Sequence, residues 1–185
     1  MYVLDTQEEK KIIDQSATYY LTFTIISWID LFTRKRYRDI VVDALNHCIS
    51  RKALKVNAWV IMSNHIHLIA SSSKEDLSGT IRDFKRRTSK EIIKSIQSLS
   101  ESRREWLLRA FKHQGNKNTK NKQFQLWQQK SYPVELISTF FFEQKLNYIH
   151  NNPVEAGIVY EPHDYIYSSA IDYCGRKGLV EIETI

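Results

Sequence analysis

Two strand-length apolar runs, Leu54 to Ile61 and His65 to Ala70, are separated only by Met62-Ser63-Asn64. Two such runs joined by so short a connection specify a β-hairpin and leave few alternatives. Pairing assigns every side chain to a face, because successive residues of a strand point to opposite sides. His65 and His67 therefore point one way, and Ile66 and Leu68 the other. Two neutral imidazoles side by side make half of a divalent-metal site. Two histidines spaced this way are more often ordinary, hydrogen-bonded sheet residues. Their strongly apolar flanks nevertheless mean that both rings need polar partners.

The rest of the chain supplies elements to pack on this hairpin. Thr18 to Trp28 alternates Tyr19, Leu21, Phe23 and Ile25 with Tyr20, Thr22 and Thr24, a strand pattern. Tyr37 to Ser50 carries Ile40, Val41, Ala44, Leu45 and Cys48 at helical spacing. Leu77 to Ile96 is a second amphipathic helix, and Glu105 to Lys112 a third, shorter one. Gln114 to Gln123 contains only Gly, Asn, Lys, Gln and Thr, so it buries nothing apolar and is expected to be a mobile loop. Tyr132 to Ile137 is expected as a last short strand. Thr139 to Asn151 is expected as a helix that stops near Pro153, since a proline disfavours the α conformation of its predecessor. The segment after it suggests an irregular tail with one short helix. A β-α-β-β-α-β order predicts an α+β fold: a ferredoxin-like four-stranded antiparallel sheet carrying helices. The third helix is then an insertion before the last strand.

At 185 residues, with 42% hydrophobic content and only five Gly and three Pro, the chain has the length and composition for one packed core. The expected division is an N-terminal extension over 1–17, a catalytic-type domain over 18–159 and a C-terminal tail over 160–185. Cys48 and Cys174 are far apart and form no CxxC, so neither a disulfide framework nor a cysteine zinc site is indicated. No stretch reads as a signal peptide or a membrane span, and a cytoplasmic protein is expected. The net charge of +6 favours a polyanionic partner only weakly.

Three further groups of residues bear on chemistry. On the last helix, Tyr148 and Asn152 are four apart and share a stripe beside the apolar positions Phe142, Leu146 and Ile149. A phenol and an amide so placed can meet a metal on a neighbouring strand; equally, Tyr148 can be a core-edge aromatic and Asn152 a helix C-cap. On the second helix, Arg82, Arg86, Lys90 and Lys94 recur every four residues, flanked by Lys85 and Arg87. Such a stripe can track a phosphate backbone or simply be a solvated face. Trp127, just after the polar loop, can stack on an unpaired base or pack beneath the loop.

Together these segments resemble the single-tyrosine HUH transposases, in particular the REP-associated tyrosine transposases. The matching text is Asn57-Ala58-Trp59-Val60-Ile61-Met62-Ser63-Asn64-His65-Ile66-His67-Leu68, then Leu126-Trp127-Gln128, then Tyr148-Ile149-His150-Asn151-Asn152-Pro153-Val154-Glu155-Ala156-Gly157-Ile158-Val159. Order and spacing agree over about residues 18 to 170, whereas Lys130-Ser131-Tyr132-Pro133-Val134 departs from the commoner aromatic-acidic run of that family. The resemblance implies an HUH endonuclease-type fold in which Tyr148 is the nucleophile. It implies that His65, His67 and Asn152 hold Mg²⁺ or Mn²⁺. The implied substrate is single-stranded or hairpin DNA, cut and rejoined through a 5′-phosphotyrosine during transposition. Arg82, Lys85, Arg86, Arg87, Lys90, Lys94 and Trp127 are then the expected DNA contacts, on a monomer or homodimer. Two other functions fit the same residues: a non-catalytic single-strand nucleic-acid binder, and a metal-dependent hydrolase that uses water. A paired-histidine phosphoesterase is disfavoured, because no second HxT or HxS element occurs.

Overall fold

The computed structural model of the chain describes residues 11–98, 100–117, 123–129 and 131–184. Strand β1 (Tyr19–Thr24) precedes helix α1 (Lys35–Lys52), and the hairpin is β2 (Leu54–Ile61) and β3 (His65–Ser72). Helices α2 (Leu77–Ser98) and α3 (Arg104–Asn116) follow, then β4 (Val134–Glu135), α4 (Thr139–Glu155) and the short α5 (Ala170–Tyr173). The four strands form one sheet in the order β2-β3-β1-β4, with every pairing antiparallel. This is the ferredoxin-like α+β arrangement that the element order predicts.

Each face of the sheet has its own character. Tyr20, Thr22 and Thr24 of β1 lie on the side of His65 and His67, since Thr22 pairs with His67 and Thr24 with His65. Leu21 and Phe23 point the other way, where α1 and α2 cover the sheet and Phe23 meets Phe84. The main core lies on that side, with Tyr37, Leu45, Trp59, Ile61, Ile66, Leu68, Phe84 and Phe111 all essentially inaccessible to water. Helix α4 packs on the opposite side, over β2 and β3.

Several boundaries differ from the sequence expectation. The first strand ends at Thr24, because Ser27 and Trp28 both take positive φ (54°) and turn the chain through two 3-10 turns, Ile26–Trp28 and Leu31–Thr33. Helix α3 runs on to Asn116, through the start of the expected loop; residues 118–122 of that loop lie outside the described residues. The last strand is reduced to two residues paired with Tyr19 and Tyr20.

Helix α4 does not stop before Pro153. It starts at Ser138, whose hydroxyl accepts from the Phe141 amide as an N-cap, and continues to Glu155. Ile149 and Pro153 are its two buried residues, so packing on the sheet offsets the cost of proline and its neighbour in helical geometry. Asn152 therefore lies inside the helix, and the C-cap is Ala156.

The C-terminal segment extends the free edge of β2. Tyr167 accepts from the Ile61 amide, Ser169 exchanges backbone and hydroxyl bonds with Trp59, and the Glu183 amide donates to Val56. A bulge between Val56 and Ala58 sets Asn57 apart, and its side-chain amide donates to the Glu183 carbonyl. No described helix is long and apolar enough to cross a membrane.

Candidate active site

The histidines are brought together as the strand alternation requires, with ring centroids 4.7 Å apart. His67 is buried under α4, and its Nδ1 lies 2.8 Å from the Tyr20 hydroxyl and 3.0 Å from that of Thr22. Its Nε2 is buried and has no hydrogen-bond partner among the described residues. An orphaned imidazole nitrogen in such a place is costly unless something completes it. Two rotatable hydroxyls can accept from a proton on Nδ1, which leaves the Nε2 lone pair free for a metal.

His65 is held by a different device. The Asn64 side-chain amide donates to the Asp30 carboxylate (3.1 Å) and to the Trp28 carbonyl (3.4 Å). Both of those groups only accept, so the orientation of the Asn64 amide is fixed and its Oδ1 faces His65 Nδ1 at 2.7 Å. That oxygen must accept, which places the His65 proton on Nδ1 and frees Nε2. Burial pushes the His67 imidazole down to about 3, helped by the neighbouring His65 and Lys145 charges, and burial lowers His65 as well. Both rings are thus held neutral, the state a metal ligand requires.

Tyr148 stands over this pair. Its ring is edge-on to His67 at 5.3 Å and to Tyr20 at 6.3 Å, and it is 42% exposed, with its hydroxyl unbonded among the described residues. The Lys145 ammonium sits 4.9 Å from the Tyr20 ring centre and 5.8 Å from that of Tyr148. Asn152 follows one helical turn later, half-buried, its side chain making no hydrogen bond among the described residues. No third His, Cys, Asp or Glu joins the histidine pair among the described residues, so a further protein donor would come from another residue type, such as that amide.

The other expected DNA contacts are placed differently. Trp127 is 5% exposed: its ring lies among Phe23, Phe32 and Phe84, and its Nε1 donates to Thr88 Oγ1 at 3.0 Å. Its faces are not available to a base, which corrects the stacking role expected for it. The short bridge between Trp127 and Ile25 pulls the segment inward and seats the indole in the main core. Arg82, Arg86, Arg87, Lys90 and Lys94 are exposed on α2, while Lys85 is half-buried over the Phe23 ring. Because α2 covers the far side of the sheet, this stripe does not share a face with the histidines and Tyr148.

Tyr20, Thr22, Lys145 and Trp28 surround the candidate site and lie outside the motif text, and Asn64, although within it, has no role readable from it. Lys145 and Tyr148 are three apart on a helix, and Tyr20 and Thr22 are two apart on a strand, so spacing alone offered a signal for those. The Asp30–Asn64 and Trp28–Asn64 contacts join residues 34 and 36 positions apart, and no local pattern announces them.

No protein-family model matches this sequence, and no curated protein does. Among solved structures, the chain is similar to a REP-associated tyrosine transposase bound to a REP hairpin. The TM-score is 0.65 at 17% identity, over 96% of this chain and 92% of that one. A candidate transposase from Deinococcus radiodurans R1 aligns with 78% of this chain and 96% of its own, at 14% identity and a TM-score of 0.45. The chain thus shares the fold of the REP-associated enzyme, in keeping with the resemblance carried by its motifs.

Proposed function

We propose that this chain is a metal-dependent single-strand DNA endonuclease and strand transferase of the transposase type, with Tyr148 as nucleophile. The observation that carries this is the phenol of Tyr148 over a buried His67 whose Nε2 has no hydrogen-bond partner among the described residues. The fold adds support, since the solved protein that shares it holds a REP hairpin. Hairpin-bearing single strands are accordingly the substrate proposed for this chain.

His65 Nε2, His67 Nε2 and the Asn152 side-chain oxygen would hold Mg²⁺ or Mn²⁺. When bound, such an ion supplies Lewis-acid polarisation of a scissile phosphate. Asn64 keeps the His65 proton away from the ligating nitrogen, and the Tyr20 and Thr22 hydroxyls, able to accept from Nδ1, allow the same tautomer at His67. Tyr148 Oη attacks phosphorus, forming the Oη–P bond as the P–O3′ bond breaks. The phenolic proton is released and the departing 3′ oxygen takes one up, so charge balances. The product is a 5′-phosphotyrosine and a free 3′-OH. Phosphodiester energy is retained in that link, and a second 3′-OH can reverse the attack and join strands. Lys145, beside both tyrosine rings, offers a cation to the phosphate charge. The basic face of α2, across the sheet, would hold the backbone of the strand or stem away from the reacting phosphate.

Covalent capture tests this proposal. Single-stranded oligonucleotides from the hairpin-forming DNA flanking its gene are incubated with the protein and Mn²⁺, then resolved on a denaturing gel. A metal-dependent adduct absent from Tyr148→Phe and from His65→Ala is the expected result. Cleavage that persists in Tyr148→Phe without an adduct would instead make water the nucleophile. Binding with neither adduct nor cleavage would leave a non-catalytic binder.

A further inference from the structure

We propose that Trp28 is a stacking platform for one unpaired nucleobase of the bound strand, next to the histidine pair; this rests on the single-strand DNA reading above. Trp28 is 62% exposed and lies beside His65, whereas Trp59 and Trp127 are buried and Trp106, 54% exposed, is on α3. The Trp28 ring meets that of His65 in a T-shaped contact, with ring centres 6.4 Å apart and planes at 72°, and most of the indole surface is left to solvent.

The backbone beneath it is strained. Ser27 and Trp28 both have φ of 54°, a conformation suited to glycine and costly for a bulky aromatic residue. Two hydrogen bonds hold it there: the Trp28 amide donates to the Ile25 carbonyl at 3.1 Å, and its own carbonyl accepts from Asn64 at 3.4 Å. Both are backbone contacts of residue 28 that a glycine would make equally well, without the strain. Neither hydrogen bond calls for an indole, and the larger part of the ring faces solvent rather than the core. The tie to Asn64 matters for position, because the same amide accepts from His65 Nδ1. The backbone of residue 28 and the candidate metal ligand are tied to one side chain, so a base stacked on Trp28 would set the register of its neighbouring phosphate against His65. Stacking on an aromatic face is tolerant of base identity and is worth about 1–3 kcal/mol per base, a 5- to 150-fold change in affinity.

The test uses metal-free protein, a fluorescently labelled hairpin oligonucleotide with a single-stranded flank, and the variants Trp28→Gly and Trp28→Phe. Trp28→Gly is expected to melt at or about 2–4 °C above the parent, because strain is relieved, and yet to bind at least about fivefold more weakly. Trp28→Phe keeps a stacking face and should stay within about threefold. Removing bases from the flank one at a time should find a position that costs the parent a similar factor and costs Trp28→Gly nothing further. Binding by Trp28→Gly within twofold of the parent, or an undiminished penalty for every missing base, overturns the proposal. Adduct formation separates it from the catalytic reading. Loss of binding in Trp28→Gly with no Tyr148 adduct in the parent keeps the platform and removes the chemistry. An adduct with unaltered Trp28→Gly binding does the reverse. A parent protein that does not bind the strand refutes both.

Discussion

Replacing Trp127 separates a core role from a DNA-contacting one. The indole is 5% exposed, is surrounded by three phenylalanine rings and donates to Thr88. In Trp127→Phe the Nε1–H bond is lost, but the Thr88 hydroxyl still donates to the Phe84 carbonyl at 2.9 Å, so no buried donor is orphaned. The lost bond costs about 1 kcal/mol, and the gap left by the missing ring a similar amount. A total of about 2 kcal/mol lowers the melting midpoint by about 4–8 °C in a chain of this size. Trp127→Ala removes the whole indole and costs about 3–5 kcal/mol, a large share of the stability of a domain. The assay pairs thermal melts with single-strand binding measured well below every midpoint. Both variants are expected to melt early and to bind like the parent while folded. A Trp127→Phe protein that melts with the parent but binds tenfold more weakly would refute the buried placement.

Other outcomes follow from the same geometry. Tyr20→Phe removes one of two hydroxyls at His67 Nδ1 and is expected to weaken Mn²⁺ binding about tenfold in calorimetry without loss of fold. Glu101 is buried, yet its carboxyl is held below the usual range: burial opposes the charge, and the Arg103 amide, the Tyr37 hydroxyl and the Arg103 guanidinium outweigh it. Because the folded state lowers this group's pKa, its stabilisation is present at neutral pH and is lost as pH falls through the folded value. Glu101→Gln should cost about 2–3 kcal/mol near pH 7 in urea titrations, with the gap to the parent closing as pH falls below the ordinary glutamate range. Ala53 ends α1 with φ of 57°, so Ala53→Gly should raise the melting midpoint by about 2–4 °C.

The hairpin, the face shared by His65 and His67, and the spacing of Tyr148 and Asn152 were all legible, because each follows from a period of two or of 3.6 residues. What the periods could not show was tertiary. Pro153 stays helical because its ring and Ile149 are buried together on the sheet, an outcome that local preference argues against. Trp127 is core because a single bridge to Ile25 draws it in. The basic stripe of α2 was legible from its four-residue spacing, but not that the sheet would stand between it and the histidines. Asn64 beside His65 was visible in the text, but its function depends on Asp30 and Trp28, which only the packed loop brings near.

The segment that flanks β2 makes its contacts across long stretches of sequence: Ser169 to Trp59 spans 110 residues, Tyr165 to Ile61 spans 104 and Asn57 to Glu183 spans 126. Closing loops of that length is slow, so this edge is expected to be among the last parts of the native state to form. Until then the hairpin presents an unpaired row of amides and carbonyls beside apolar side chains, a surface that recruits other unfinished chains. The yield of native protein on refolding should therefore fall with concentration, and it should be limited by how quickly that one border is covered rather than by assembly of the sheet itself.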